Sequence, residues 1–323
     1  MSNSKQRIIS TIILILILTP TIFFGGIYFL VVAIAIAALA TFELMNMFYK
    51  QDKTLKAMRF VVPVFSVILV VLVYLSETMG DNYQILLNGT GVHMLAGGAI
   101  FNHAFLILHI AILIAFLIFI VIILIIAIFT EGSGSHFMTS CMFALTYGGL
   151  FIAAACGLEW METINNPGNL FAGRIFATFY LITVSTDMLA YLFGKRFGKH
   201  KLCPTISPKK SIEGAVAGLV GGTLIGVLCA WIFKVMPIYE GSSTPEIIAS
   251  IVMMFCIAML ISIFSQLGDL IASKLKRSYD LKDYGTLLPG HGGIMDRFDS
   301  VIFSGAMLYV ILLLIEIIVI GVM

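Results

Sequence analysis

The sequence predicts an all-α protein, a polytopic transmembrane helical bundle of about nine spans with its N-terminus in the cytoplasm. Three observations predict it. Of 323 residues 60% are hydrophobic and only 11% are charged, and mean hydropathy is +1.07. Apolar runs of the roughly 20 residues needed to cross a bilayer recur along the whole chain. Lys and Arg gather in alternate loops. A soluble core has no use for this much apolar surface, and a transmembrane β-barrel would alternate polar and apolar positions in segments of ~10 residues. The net charge of +2 is less informative than where the charges sit.

The first span, 8–24, follows Lys5 and Arg7. No small-residue cleavage site comes after it, so it reads as an uncleaved span rather than a signal peptide. Gly25-Gly26 marks a tight hairpin into the second span, 26–48. Then come 58–75, an outer loop 76–103 without Lys or Arg, and 104–129 and 138–157. The last four spans are 170–193, 211–233, 247–272 and 300–322. We divide the chain into an N-terminal region, 1–165, and a C-terminal catalytic region, 166–323. The second carries cytoplasmic loops 194–211 and 273–299. With the N-terminus inside, 17 of the 19 Lys and Arg residues fall on the cytoplasmic side, leaving Arg174 and Lys234 outside. That bias supports nine spans with the N-terminus inside and the C-terminus outside, and the length and single compact design suit a bacterial plasma-membrane protein. Cys141, Cys156, Cys203, Cys229 and Cys256 lack metal-site spacing and read as small core residues.

Carboxylates inside spans are costly and usually functional. Glu43, Asp187, Glu213 and Asp269 lie in four different spans and Asp296 and Asp299 immediately precede a fifth, yet all fall at one depth, the cytoplasmic boundary. Ser262, Ser265, Gln266, Asp269, Ser273, Lys276 and Arg277 recur at three- and four-residue steps, so they share one face of the eighth span. Before the seventh span, Ser207-Pro208-Lys209-Lys210-Ser211 delivers two lysines onto a helix start, where Ser207 or Ser211 can cap and an anion can bind.

The densest chemistry lies between the last two spans. Gly290, Gly292 and Gly293 flank His291 and let backbone N–H groups approach phosphate oxygens. Lys276, Arg277, Lys282 and Arg297 can neutralise phosphate charge. Asp269, Asp296 and Asp299 are hard oxygen ligands suited to Mg²⁺. These are the parts for phosphoryl or nucleotidyl transfer, in which a protein mainly positions and neutralises.

The run Ser273-x-Leu275-Lys276-Arg277-x4-Lys282-Asp283-x-Gly285-x2-Leu288-Pro289-x-His291-Gly292-Gly293-Ile294-x-Asp296-Arg297-Phe298-Asp299 resembles, without a gap, the defining motif of the phosphatidate cytidylyltransferases. Gly194-x3-Gly198-Lys199 and Ser207-Pro208-Lys209-Lys210-Ser211-x-Glu213-Gly214 are similar to that family's second loop, with Ser211-Ile212 where Thr and Trp are common. The close resemblance covers about residues 180–300. It implies a membrane enzyme that takes CTP and phosphatidic acid, with Mg²⁺ required and a second cation left open, and gives CDP-diacylglycerol and pyrophosphate. Membrane lipid is then a partner, nucleic acid is not, and a homodimer is compatible. On this reading Asp269 and Asp296 hold the metal, with Asp187, Asp283 and Asp299 as further candidates for holding it or orienting the lysines. Lys209, Lys210, Lys276, Arg277 and Arg297 neutralise phosphates, and His291, Gly292 and Gly293 cradle them. Two alternatives stay open: a related membrane cytidylyltransferase using another lipid phosphate, and a transporter. A transporter would place acids at the midplane and pair broken helices, and neither pattern is evident.

Overall fold

The computed structural model describes residues 3–89, 94–161, 173–236, 243–288, 290 and 292–322, with side chains described between 12 and 78 and, within those segments, from 107 to 315. The architecture is a helical bundle. In chain order it comprises α1 (Asn3–Phe24), α2 (Gly26–Gln51), a short 3₁₀ turn (Lys53–Lys56), α3 (Met58–Gly89) and α4 (Met94–Phe129). There follow α5 (Ser135–Trp160), α6 (Arg174–Phe197), strands β1 (Lys201–Cys203) and β2 (Ser207–Ser211), α7 (Ile212–Ile232), α8 (Thr244–Ser278) and α9 (Met295–Val322). Among the described residues, α2 to α9 are long and apolar enough to span a membrane, and α1 adds the shorter apolar stretch Ile12–Phe24.

Burial separates the spans. In α5, 72% of the span is buried, against 22% in α4. The α4 side chains Leu113, Leu117, Val121 and Ile128 are exposed, as a lipid-facing stripe requires, whereas α5 runs through the middle of the bundle. Between Ala144 and Leu150 α5 widens into a π-helical turn. There a Cβ on Gly148 would lie 3.2 Å from the Thr41 Cα of α2, and one on Gly149 would lie 2.9 Å from the Ser66 hydroxyl of α3. Thr41 donates a hydrogen bond to the Gly148 carbonyl at 2.7 Å, so the widened turn is held by both neighbours.

Glycines also set α7 against its partners. Gly214, Gly218, Gly222 and Gly226 recur every four residues and are buried. A Cβ on Gly218 would meet the Thr186 carbonyl at 2.7 Å, and one on Gly226 would meet Ala258 at 2.9 Å. This small-residue stripe lets α6 and α8 approach the α7 backbone, which puts these three helices side by side. Thr186 then donates to Ser262 across α6 and α8 at 2.9 Å.

Three expectations change. The loop expected over 76–103 is largely helical backbone, because α3 runs to Gly89 and α4 starts at Met94. The last helix starts at Met295 rather than near 300, so Asp296 and Asp299 belong to its first turns. The loop before α7 contains a small antiparallel hairpin, β1–β2. Its five-residue second strand, Ser-Pro-Lys-Lys-Ser, carries no apolar alternation that would reveal it.

Candidate active site

The polar stripe of α8 is real, and its members reach α6, α7, β2 and α9. Ser265 donates to Asp187 on α6 at 3.4 Å. Gln266 donates to the Ala215 carbonyl of α7 at 3.1 Å. Asp269 accepts from Ser273 one turn on at 3.2 Å and pairs with Lys210 of β2 at 2.5 Å. Lys276 reaches Asp296 of α9 at 2.9 Å and lies 3.9 Å from Asp299. Its side chain is 12% exposed and that of Asp296 is 2% exposed, so water screens the attraction within this pair little, and removing either partner would strand the other charge in the interior. Lys276 also stands 5.1 Å above the Tyr284 ring, a cation–π contact.

Lys210 arrives at Asp269 through the hairpin. Ser211 caps α7, accepting the Gly214 N–H at 3.2 Å. A Cβ on Gly198 would lie 2.7 Å from that of Ser211, which is the physical need behind glycine at the end of α6. Glu213 accepts the Lys199 N–H at 3.1 Å and the His200 ring at 2.6 Å, closing the base of the hairpin.

The connection from α8 to α9 is folded around two carboxylates. Asp296 accepts the N–H groups of Tyr284 at 2.8 Å and Gly293 at 2.9 Å through Oδ2, while Oδ1 takes Lys276. Leu288 donates to the Gly292 carbonyl at 2.8 Å, and Gly290 and Gly292 hold φ of +77° and +85°, a region that favours glycine. The Tyr284 hydroxyl donates to the Ala272 carbonyl at 3.0 Å. Burial, reinforced by the nearby acids, raises the pKa of this phenol, so it stays a donor at neutral pH. The second carboxylate is Glu43 of α2, which accepts the N–H groups of Ile294 at 3.1 Å and Met295 at 3.0 Å.

Two adjoining clefts open on this junction. The outer, ≈ 550 Å³, is lined by Lys282, Asp283, Gly285, Thr286, Leu288, Gly290, Gly292 and Arg297. The inner, ≈ 330 Å³, is lined chiefly by Asp187, Asp269, Lys276, Asp296, Arg297, Asp299 and Ser300, with Tyr180, Thr183, Asp283 and Val301 at its edge. Asp283 and Arg297 belong to both. An apolar crevice lined by residues of α1, α2, α5, α6 and α9 shares Tyr180 and Val301 with the inner cleft. The pattern is a cationic and glycine-rich vestibule, a carboxylate-rich floor and a narrow apolar crevice beside them. It can hold a polyphosphate against a lipid-borne group.

The donor chemistry of the floor fits Mg²⁺. Asp187, Asp269 and Asp299 offer hard oxygens on one cleft, and Mg²⁺ takes one or two carboxylates while keeping several waters. Among the described residues no three His, Cys, Asp or Glu side chains already stand at ligating distance; Lys210 and Lys276 occupy the neighbourhood of the carboxylates instead. Asp296, expected as a ligand, has both oxygens committed to Lys276 and two backbone amides. Its geometry is that of a loop organiser.

Other expected residues divide clearly. Lys282 and Gly292 line the outer cleft, and Asp283 and Arg297 line both. Gly293 is buried, with its N–H on Asp296, and Ser273 supports Asp269. Arg277 is exposed and donates to the Leu281 carbonyl at 2.9 Å, closing the helix end. Ser207 and Lys209 lie on β2, half-buried and exposed respectively. His291 falls outside the described residues. Sequence reasoning left Tyr180, Thr183, Tyr284 and Ser300 out of the site; nothing in their types or spacing marks them. Glu43 did carry a mark, as an acid inside a span at the right depth.

A profile described as the cytidylyltransferase family matches residues 5–315. The chain is similar to a phosphatidate cytidylyltransferase of Staphylococcus haemolyticus, 28% identical over 314 residues, which cover 96% of this chain and 99% of the relative. A Bacillus subtilis protein of the same name is 44% identical over 138 residues, 42% of this chain and 47% of its own. One from Staphylococcus aureus is 42% identical over 134 residues, again 42% and 47%.

Proposed function

The chain belongs to the cytidylyltransferase family, and from that premise we propose that it transfers the CMP moiety of CTP to phosphatidic acid, giving CDP-diacylglycerol and pyrophosphate for phospholipid synthesis. The observation that carries this reading is the junction itself, where a glycine-turn vestibule with Lys282 and Arg297 opens onto a floor of carboxylates beside an apolar crevice.

The triphosphate lies in the outer cleft, its charge neutralised by Lys282 and Arg297 and, as they leave their carboxylates, by Lys210 and Lys276. The lipid enters from the side. Its phosphate meets the inner cleft near Tyr180, and its acyl chains follow the apolar crevice past Phe29, Phe176 and Phe298. A phosphate oxygen of the lipid attacks the α-phosphorus of CTP in line with the departing pyrophosphate. The bond to the β-phosphate oxygen breaks, and the electron pair leaves with pyrophosphate. A phosphate nucleophile is already ionised, so no general base is required. Mg²⁺, when bound, supplies charge neutralisation across the reacting phosphates, and Asp187, Asp269 and Asp299 are the side chains that would hold it. The working face is cytoplasmic in a bacterial plasma membrane, since 17 of 19 basic residues then lie inside and CTP is cytosolic.

Purified protein given labelled CTP, Mg²⁺ and phosphatidic acid vesicles should form a CDP-lipid and release pyrophosphate. Turnover of another lipid phosphate with none of phosphatidic acid would replace the substrate, and no nucleotidyl transfer to any lipid phosphate would sink the reading.

A further inference from the structure

Glu43 comes from the N-terminal half of the chain, outside the motif-bearing segments, yet it touches the centre of the site. It is 8% exposed. Its two oxygens accept from consecutive amides, Ile294 and Met295, at 3.1 and 3.0 Å. These amides open α9, so a carboxylate there satisfies orphan donors and meets the positive end of the helix dipole. The loop is also shaped to admit it. A Cβ on Gly285 would stand 2.7 Å from the Glu43 carboxyl carbon, and one on Gly293 2.6 Å from it. Both glycines therefore leave room for this one side chain. Immediately beyond its two amides come Asp296, Arg297 and Asp299, which line the inner cleft.

We propose that Glu43 is a positioning residue for the transfer reaction. It clamps the Gly285–Gly293 turn and the start of α9, and so fixes where Arg297 and Asp299 stand relative to Lys276 and Asp269. The inference rests on the reading above for its activity arm and on geometry alone for its other arm. Both oxygens are needed, so charge and reach matter together. Glu43→Gln keeps the size but turns an N–H₂ toward an N–H; Glu43→Asp keeps the charge but falls short by one methylene.

The test compares the full-length wild type with Glu43→Gln, Glu43→Asp and Gly285→Ala in detergent, reading kcat and KM for CTP and hydrogen exchange by mass spectrometry. For Glu43→Gln the expected result is a kcat loss on the order of 100-fold from misplacement of the reacting groups. Exchange should rise over residues 292–296 and stay unchanged over α3 and α4. Glu43→Asp should fall between Glu43→Gln and the wild type. If Glu43→Gln does not purify, Gly285→Ala pushes on the same carboxylate from the loop side and should give the same local exchange. The Glu43→Gln/Gly285→Ala double variant should lose less than the two single losses combined. A kcat within threefold of wild type with unchanged exchange at 292–296 overturns the proposal. So does an exchange increase spread equally over α2 and α3, which marks a merely structural acid. An inactive wild type would refute the assigned reaction, and the exchange arm would still decide Glu43.

Discussion

Glu43 and Glu77 are both buried acids, on neighbouring helices at opposite ends of the bundle, 8% and 1% exposed. They are held differently. Glu43 accepts two backbone amides of α9. Glu77 accepts the Tyr309 hydroxyl at 2.6 Å and lies 3.4 Å from the His109 ring nitrogen. Its other oxygen finds no hydrogen-bond partner among the described residues. Backbone donors cannot rotate away, so the first arrangement fixes a chain segment. Side-chain donors can turn, so the second ties α3, α4 and α9 together without defining any loop. The same side chain, buried in both places, thus gives a positioning device at one end and helix–helix adhesion at the other.

The contrast breaks most sharply at the inner end. Asp269→Asn should lower CDP-lipid synthesis on the order of 10³-fold while the protein still inserts and purifies; near-normal turnover would remove Asp269 from the charge-handling role. Lys276→Met leaves Asp296 buried without its cation, which costs about 3–5 kcal/mol. It should lower both the melting temperature and kcat, and a loss of neither would show that Asp296 is held by its amides alone. The outer end should respond in stability only. Gly157→Ala drives a Cβ into the edge of the Tyr309 ring at Cε2, an overpacking of about 1–3 kcal/mol. The melting temperature should fall with kcat within threefold, and a large kcat loss would tie the two ends together. Glu77→Gln, which keeps an acceptor for Tyr309, should be the mildest, at about 1 kcal/mol or less with unchanged kinetics.

Much of this was legible in the sequence because its causes are local or compositional. Hydropathy set the spans, and three- and four-residue spacing placed Ser265, Gln266, Asp269, Ser273 and Lys276 on one face of α8. The dense motif marked the loop that folds onto it. What was not legible depends on tertiary placement. The division of labour between Asp269 and Asp296 cannot be read from two aspartates at similar depth; it follows from the loop wrapping Tyr284 and Gly293 onto one of them. The β1–β2 hairpin forms because α6 and α7 bring its ends together. Glu43 gave a depth but no partner, since its amides lie 251 and 252 residues away.

The Lys210–Asp269 and Lys276–Asp296 pairs have a consequence for how the site is charged. The carboxylate floor carries tethered counter-ions of its own, so it is never a bare negative well at the membrane edge. A triphosphate recruits these lysines only by pulling them off their aspartates. Asp269, vacated in this way, is then free for the cation that accompanies the nucleotide, while Asp296 stays on its two amides. On the function proposed above, loading the site would be an ion exchange, and nucleotide and metal should bind with mutual assistance rather than independently.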